Sequence, residues 1–260
     1  MLVEVTGAGE PAESLIRAAL QDGIHVVSAN KRAIASQLES LRAITGRAKL
    51  LYSASVGGAA PLLELAERAA AAGRVRRVRG VLNGTTTYIL TRIGAGASFD
   101  AALAEAQSRG YAERDATADI DGFDAANKLL LLAWGAFGVT PAWHEIEIAG
   151  IRSLQAVPKA DGRRVRLVGT AERRGGTLAL RIEPQVLDES DPLWATEGTG
   201  NRVVIELDDG RTLTAGGRGA GRWPTTEAVI ADLHDLFRTV FSRPDDVTPA
   251  DEACVPAAAI

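Results

Sequence analysis

Short apolar runs alternate with amphipathic segments through the first part of the chain, and this alternation constrains the fold more than any other feature. The runs at 2–5, 24–28, 50–54 and 75–82 are predicted strands, and the segments between them are predicted helices. Strands that alternate with helices of this size are typical of parallel βαβ units. Because open parallel sheets bind ligands at the carboxyl ends of their strands, the residues that follow these runs are the first candidates for a site.

The pattern changes at Asn83-Gly84, a dipeptide that predicts a turn. Predicted helices lie at 85–93, 99–108 and about 121–137. Predicted strands follow at 165–171, 178–182, 203–207 and 212–215. The Asp208-Asp209-Gly210 segment between the last two strands predicts a hairpin turn. A final helix is predicted from about Pro224, and the apolar residues on one side of it are Val229, Leu233, Leu236 and Phe237.

Charge and composition exclude several classes of partner. Lys and Arg number 29 against 33 Asp and Glu, and the resulting net charge of −4 has the wrong sign for a protein held on nucleic-acid phosphates. The longest apolar stretch, 129–137, is interrupted by Gly135 and is too short to span a membrane. Cys254 is the only cysteine, which excludes an intrachain disulfide and fits a reducing cytoplasm. We therefore expect no nucleic-acid partner, no membrane partner and a cytoplasmic location.

Two strand-to-helix turns near the amino terminus have residues that suit a ligand site. Gly7–Ala12 fits the G-x-G-x-x-A form of the dinucleotide fingerprint, but Pro11 removes a backbone N–H from the helix start that would face a pyrophosphate. An ordinary βα turn is therefore the favoured interpretation. Lys31 follows the second strand, where it can reach a phosphate or a carboxylate, or lie solvated in the first helical turn.

Two glycine-rich connections, 53–61 and 216–222, each lead into a predicted helix. Glycine lets the backbone approach a ligand or an ion closely, so either connection can serve a site. Both are equally consistent with helix entries that have no function. The sequence by itself leaves this open.

The most informative segment begins at Gly110 and is rich in acidic residues up to Lys128. Asp124 and Lys128 lie four residues apart and share one face of a predicted helix that also contains the run 129–132 of four leucines. A lysine in a buried helix needs a paired anion, and such a cluster suits chemistry in which a carbonyl oxygen gains a proton. An exposed salt bridge with no catalytic role explains the same spacing equally well.

These motifs together resemble the homoserine dehydrogenase family over residues 1 to about 240. The segments that show the resemblance are 26–31, 54–58, 80–86, 110–128 and 219–221. The resemblance implies NAD(P)-dependent interconversion of L-aspartate 4-semialdehyde and L-homoserine, in threonine, isoleucine and methionine biosynthesis. It also implies a homodimer.

The family resemblance further implies an α/β fold in two parts. A partial Rossmann-like nucleotide-binding half is joined to an α+β substrate and dimerisation domain with a mixed sheet. The expected boundaries are 1–54 for the residual nucleotide-binding domain, 55–215 for the substrate and dimerisation domain, 216–240 for a helix that returns to the first domain, and 241–260 for a tail.

Site residues follow from matching positions. Lys128 matches the acid–base lysine of the family, and Lys31 matches a second lysine near both cofactor and substrate. The residues expected to bind the substrate are Glu113, Asp124, Asp119 and Tyr111. The residues expected to bind NADP or NAD are Thr6, Lys31, Gly110 and Gly219.

A monovalent cation, Na⁺ or K⁺, is a further expectation from the resemblance. The backbone carbonyls of Val56, Gly58 and Ala60 match its ligands, whereas Ser53 stands where the family usually has a glutamate. The cation prediction therefore depends on the carbonyl groups alone.

The family also begins with a strand, a G-x-G-x-x-G turn and a helix that precede the strand at 2–5. We expect this chain to represent the enzyme in incomplete form, with an unpaired apolar edge at 2–5. The alternatives are an inactive homologue that acts as a binding or regulatory partner, and a separate polypeptide that supplies the missing part. The retained acidic and lysine residues favour the enzyme.

Overall fold

The chain begins with a three-stranded parallel sheet in the order β1-β2-β3. Its strands are β1 (Leu2–Glu4), β2 (Val26–Ser28) and β3 (Leu50–Leu51), and the connecting helices are α1 (Glu10–Gln21), α2 (Lys31–Ala35) and α3 (Leu38–Ile44). The computed structural model describes residues 1–7, 9–44, 46, 48–154, 162–219 and 221–241. The predicted parallel βαβ arrangement is confirmed for this part of the chain.

Two local features of this sheet follow from single residues. Asn30 caps α2, since its side chain accepts a hydrogen bond from the backbone N–H of Ala33, and this cap places Lys31 in the first turn of the helix. Val3 in β1 and Val5 just after it are 40% and 58% exposed, and within the described residues β1 pairs only with β2. The apolar edge expected from the sequence is therefore present.

A second, six-stranded mixed sheet has the order β5-β7-β6-β4-β8-β9. Its strands are β4 (Val75–Val81), β5 (Glu147–Ile148), β6 (Arg164–Arg174), β7 (Thr177–Leu187), β8 (Gly200–Leu207) and β9 (Thr212–Arg218). The strand predicted at 75–82 does not continue the parallel series, because β4 lies antiparallel between β6 and β8. The hairpin predicted at Asp208-Asp209-Gly210 joins β8 to β9.

Helices cover one face of this sheet and form the main core. They are α4 (Leu62–Ala72), α5 (Gly84–Gly94), α6 (Phe99–Ser108), α7 (Thr117–Ile120) and α8 (Phe123–Phe137). The central helix α8 packs on β4, β6 and β7, and its leucines at 129, 131 and 132 are fully buried. Burial of this helix brings its polar residues, Asp124 and Lys128, into the protein interior.

The last described helix, α9 (Arg222–Phe241), returns to the first sheet. It contacts β2 and a 3-10 turn at Ser53–Ser55, where the buried carboxylate of Asp232 accepts a hydrogen bond from the backbone N–H of Ser53 at 2.9 Å. Phe237 was predicted on the packed side of this helix but is 62% exposed, because the buried positions are Ala228, Asp232 and Leu236. Residues 242–260, nearly all of the predicted tail, lie outside the described residues. None of the described helices is both long and apolar enough to cross a membrane.

The backbone at Gly150 packs directly against the turn between α7 and α8. A Cβ atom at Gly150 would lie 2.3 Å from the carbonyl oxygen of Ile120 and 2.6 Å from Cα of Asp121. We expect Gly150→Ala to lower the free energy of unfolding by about 1–3 kcal/mol, because backbone atoms must move to admit the methyl group. Urea denaturation monitored by circular dichroism measures the change.

Gly94→Ala is the matched control for this substitution. Gly94 ends α5, and no atom lies within 4 Å of the position that an added methyl group would take, so alanine there is expected to raise stability by several tenths of a kcal/mol. Equal urea midpoints for the two variants would contradict the packing argument.

Candidate active site

Asp124 lies between two lysine side chains. Its Oδ1 is 2.8 Å from Nζ of Lys31, and its Oδ2 is 2.8 Å from Nζ of Lys128. Asp124 and Lys128 are one turn apart on α8, while Lys31 comes from the first sheet, at the start of α2. Asp124 and Lys128 are only 9% and 7% exposed, so the alternative of a solvated surface salt bridge is wrong.

The two lysines decide the charge of Asp124. Burial raises the pKa of this carboxyl group, but the ammonium groups of Lys128 and Lys31 outweigh burial and hold the pKa well below its usual range. Asp124 is therefore an anion at neutral pH, paired with two cations. The backbone carbonyl of Leu82 accepts a second hydrogen bond from Nζ of Lys128 at 2.8 Å, which fixes the direction of the ammonium group.

Asp119 belongs to the same cluster, but its pKa is raised whereas that of Asp124 is lowered. Burial and the negative charge of Asp124 raise its pKa, while the side chain of Asn83 and the lysines Lys128 and Lys31 act in the other direction. Nδ2 of Asn83 donates to Oδ1 of Asp119 at 2.6 Å and to Oδ2 of Asp124 at 2.9 Å. The turn chemistry of Asn83-Gly84 gives no sign of these contacts, which depend on tertiary packing.

A cleft of about 1400 Å³ opens beside these groups. The site residues predicted from sequence that line it are Lys31, Glu113, Asp119 and Asp124. Arg17 and Arg32 belong to the same lining, as do the aromatic residues Phe123 and Trp143, whose ring centroids are 6.4 Å apart. The cleft is large enough for a small amino acid together with part of a larger ligand.

Tyr111 and Gly110 lie apart from the lining of this cleft. The Tyr111 ring packs against Tyr88 with centroids 5.1 Å apart and is 42% exposed, and its carbonyl oxygen accepts a hydrogen bond from the Thr85 hydroxyl at 2.6 Å. Gly110 follows α6 with a φ of +73°, and a Cβ there would meet no atom within 4 Å.

A buried carboxylate that the sequence analysis missed joins the ends of β1 and β2. Oε1 of Glu4 accepts hydrogen bonds from the backbone N–H of Thr6 at 2.8 Å and from its hydroxyl at 2.7 Å, and Oε2 accepts from the hydroxyl of Ser28 at 2.8 Å. Burial raises the pKa of Glu4, but these hydrogen bonds outweigh it and lower the pKa below the usual value. Glu4 thus holds Thr6 next to the turn that positions Lys31.

The turn after β1 leads into a helix whose first turn contains the proline noted in the sequence. Pro11 lies in the first turn of α1, Gly9 is the residue before the helix and Gly7 has a φ of +69°. Ala8 lies outside the described residues. The first turn of α1 therefore lacks one backbone donor, as expected from the proline.

The two glycine-rich connections pack against each other. A Cβ at Gly58 would lie 3.1 Å from the carbonyl oxygen of Arg218, and a Cβ at Gly219 would lie 2.2–2.4 Å from the side-chain amide atoms of Asn201. Asn201 is buried, and within the described residues neither its amide nitrogen nor its amide oxygen has a hydrogen-bond partner. Any side chain at position 219 would therefore clash with Asn201.

Comparison with known proteins shows one consistent family. The family model described as homoserine dehydrogenase matches residues 61–234. A homoserine dehydrogenase from Synechocystis sp. is 36% identical over 96% of this chain and 60% of its own length. The chain thus spans about 60% of the length of curated relatives such as this one.

Solved structures agree with the sequence relatives. A homoserine dehydrogenase from Thiobacillus denitrificans matches with a TM-score of 0.84 at 34% identity, over 91% of this chain and 56% of that one. A hyperthermophilic archaeal homoserine dehydrogenase in complex with NADPH matches with a TM-score of 0.80 at 30% identity, over 90% of this chain and 70% of that one.

Glu4 provides a prediction about stability and pH. We expect Glu4→Gln to lower the free energy of unfolding by about 1–3 kcal/mol at neutral pH, because an amide cannot accept all the hydrogen bonds that the carboxylate accepts. The pKa of Glu4 is lower in the folded chain than the usual 4.5, so its stabilisation is present above pH 4.5 and is lost as the pH falls through the folded-state pKa. Urea denaturation at a series of pH values checks both statements.

Glu189→Gln, at an exposed loop position, is the matched control and is expected to leave stability unchanged. A constant difference between the parent chain and Glu4→Gln from neutral to strongly acidic pH would show that the carboxylate charge plays no part.

Proposed function

The chain belongs to the homoserine dehydrogenase family, and we propose that its protein interconverts L-aspartate 4-semialdehyde and L-homoserine with a nicotinamide cofactor. The observation that carries the proposal is the Lys31–Asp124–Lys128 cluster, in which Asp124 and Lys128 are buried while Lys31 and Asp124 line an open cleft. An inactive binding partner would gain little from a buried ammonium group, because even a paired buried charge adds little net stability compared with apolar side chains of similar size. Carbonyl reduction, in contrast, needs an ammonium group at the oxygen that becomes an alkoxide.

Lys128 is proposed as the acid. When bound, the nicotinamide cofactor supplies the hydride for reduction of the aldehyde carbon. The Lys128 ammonium group donates a hydrogen bond to the carbonyl oxygen, neutralises its growing negative charge and transfers a proton to give the alcohol. Asp124 and the carbonyl of Leu82 hold two of the three Nζ hydrogens, so one hydrogen remains to be directed at the substrate.

The acidic residues of the cleft are proposed to recognise the amino-acid part of the substrate. Glu113 and Asp119 line the cleft beside Asp124 and can pair with the substrate ammonium group, while the exposed end of Lys31 can pair with its carboxylate. The assignment of Tyr111 to the substrate site depends on the family resemblance alone, since its ring lies outside the cleft lining.

The residues at the ends of β1 and β2 fit a nicotinamide cofactor. Thr6 is held there by Glu4, Lys31 supplies a cation, and Gly219 lies against the buried amide of Asn201, which has no hydrogen-bond partner among the described residues. The NADPH complex of the archaeal structure supports this part of the proposal, and both NADP and NAD remain candidates. The cofactor role of Gly110 depends on the resemblance alone.

A monovalent cation, Na⁺ or K⁺, is proposed at the carbonyl groups of Val56, Gly58 and Ala60. The left-handed φ angles at Gly57 and Gly58, +82° and +56°, produce a tight turn that is suited to directing successive carbonyls inward. Asp232 accepts a hydrogen bond from the backbone N–H of Ser53, in the 3-10 turn that precedes these carbonyls, where the family usually has a glutamate. Within the described residues no cluster of three His, Cys, Asp or Glu side chains provides a conventional metal site.

The remaining assignments are proposed on the resemblance and the sequence. They are a role in threonine, isoleucine and methionine biosynthesis, a cytoplasmic location and domain boundaries near residues 54, 215 and 240.

A homodimer is proposed through the outer face of the six-stranded sheet. This face, opposite the helices, presents alternating charges in neighbouring strands, and Arg77, Arg79 and Arg181 surround a shallow depression of about 250 Å³ together with Glu172 and Glu183. A surface with both charges interspersed can be complementary to itself across a two-fold axis, as a symmetric dimer requires.

Lys128→Ala tests the proposed mechanism. We expect at least about a 100-fold loss of NADPH-dependent aldehyde reduction, because general acid catalysis and alkoxide stabilisation are both removed. NADPH binding, followed by the fluorescence of the cofactor, is expected to be retained. Lys49→Ala, at an exposed lysine outside the cleft lining, is the matched control and should retain full activity.

Loss of NADPH binding in Lys128→Ala would show that the role of this lysine is misassigned. Absence of NADPH binding by the parent chain up to millimolar concentration would contradict catalysis by this chain and favour an inactive homologue or a separate polypeptide that completes the site.

Thr170→Arg tests the proposed dimer. Thr170 lies at the centre of the outer face, so a bulky charge there is expected to convert a sedimenting dimer into a folded monomer with an unchanged circular dichroism spectrum. Ala101→Arg, on the exposed side of α6, is the control and should remain dimeric. A parent chain that sediments as a monomer at all concentrations would contradict this part of the proposal.

A further inference from the structure

Asn83 connects three parts of the candidate site through one side chain. Its Nδ2 group donates one hydrogen to Asp119 and the other to Asp124, and its Oδ1 accepts a hydrogen bond from the backbone N–H of Thr86 at 2.8 Å. Asn83 is buried, and every polar atom of its amide is used. The last of these bonds also makes Asn83 the N-cap of α5.

These contacts allow only one orientation of the amide. A flipped side chain would direct its oxygen at two carboxylates and its NH₂ group at the N–H of Thr86, so both ends would be repelled. Because the same side chain caps α5, the position of its Nδ2 donor group is fixed relative to the first turn of that helix. The separation of the two carboxylates is therefore set by the backbone at the end of β4.

We infer that Asn83 is a positioning residue whose amide holds the carboxylates of Asp119 and Asp124 side by side, so that both face one cationic ligand. The inference deepens the proposed function and depends on it for the identity of that ligand, the ammonium group of the amino-acid substrate. Without a donor between them, two buried carboxylates repel each other, and one of them takes up a proton or moves away.

Asp119 is the carboxylate that responds to the loss of Asn83. Asp124 is held as an anion by Lys128 from α8 and Lys31 from α2, whereas Asp119, at the end of α7, has no lysine within ion-pair distance among the described residues. The charged groups that act on Asp119 are thus the anion of Asp124 and the more distant cations Lys128 and Lys31. Removal of the Asn83 donor leaves burial and Asp124 to raise its pKa further.

Asn83→Ser separates this role from helix capping. Serine is a good N-cap residue, so α5 keeps its first hydrogen bond, but the shorter side chain cannot reach either carboxylate. We expect the titration midpoint of the Asp119 ¹³Cγ signal to rise by about one pH unit or more, with the signal identified by its absence in Asp119→Asn. The pH below which L-homoserine binding is lost, measured by calorimetry on the full chain, is expected to rise by the same amount.

Two further variants make the outcome decisive. Ser98→Ala removes the N-cap of α6, which touches no carboxylate, and should lower stability without moving either midpoint. If Asn83→Ser does not fold, Asn83→Asp keeps the cap acceptor and replaces the donor by an anion, and it should raise the Asp119 midpoint still more. An unchanged Asp119 midpoint in the variant that folds overturns the inference.

The two readouts also distinguish this inference from the proposed function. If the parent chain binds no L-homoserine at any pH, the proposed substrate is wrong for this chain, and the role of Asn83 as its ligand-positioning residue falls with it. If homoserine binds but its pH dependence is the same in the parent chain and in Asn83→Ser, the inference is wrong and the proposed function stands.

Discussion

The carboxylate of Asp124 is the group on which the site depends, because it joins two ammonium groups from helices that belong to different parts of the fold. Lys31 follows a strand of the parallel sheet, and Lys128 lies on the helix that packs against the mixed sheet. An unpaired ammonium group as buried as that of Lys128 would lower stability by several kcal/mol, so the helix can be buried only with its anion. One ion-pair cluster therefore links the two parts of the fold at the position where the cleft opens.

Asp119 and Asp124 respond to pH in opposite directions. The folded state favours the ionised form of Asp124, so its contribution to stability is present above the usual pKa near 3.8 and is lost as the pH falls. The folded state favours the protonated form of Asp119, so its contribution declines as the pH rises above 3.8. Two carboxylates in one cleft, one with a raised pKa and one with a lowered pKa, are typical of sites that bind charged ligands or transfer protons.

The features that the sequence predicted correctly are those with a local cause. The spacing of Asp124 and Lys128 places them on one helix face, and Asp208-Asp209-Gly210 forms a hairpin. The features it missed depend on contacts between distant segments. Glu4 appears in the sequence only as the end of a strand, and the antiparallel partners of β4 cannot be inferred from an apolar run. The family resemblance grouped Lys31, Asp119, Asp124 and Lys128, which the structure brings into one cluster. It also included Tyr111, whose ring lies outside the cleft lining.

The Asn83-Gly84 pair lies at a turn, but contacts with distant segments also require these two residues. A turn was expected there, and the chain does pass from β4 into α5 at this point. The glycine is required by a close approach, since a Cβ at Gly84 would lie 2.7 Å from Cα of Thr199. The preceding carbonyl of Leu82 holds Lys128, and the asparagine amide holds both aspartates. Leu82 and Asn83 thus position the proposed acid and two anions, and their geometry follows from packing of the second sheet rather than from turn propensity.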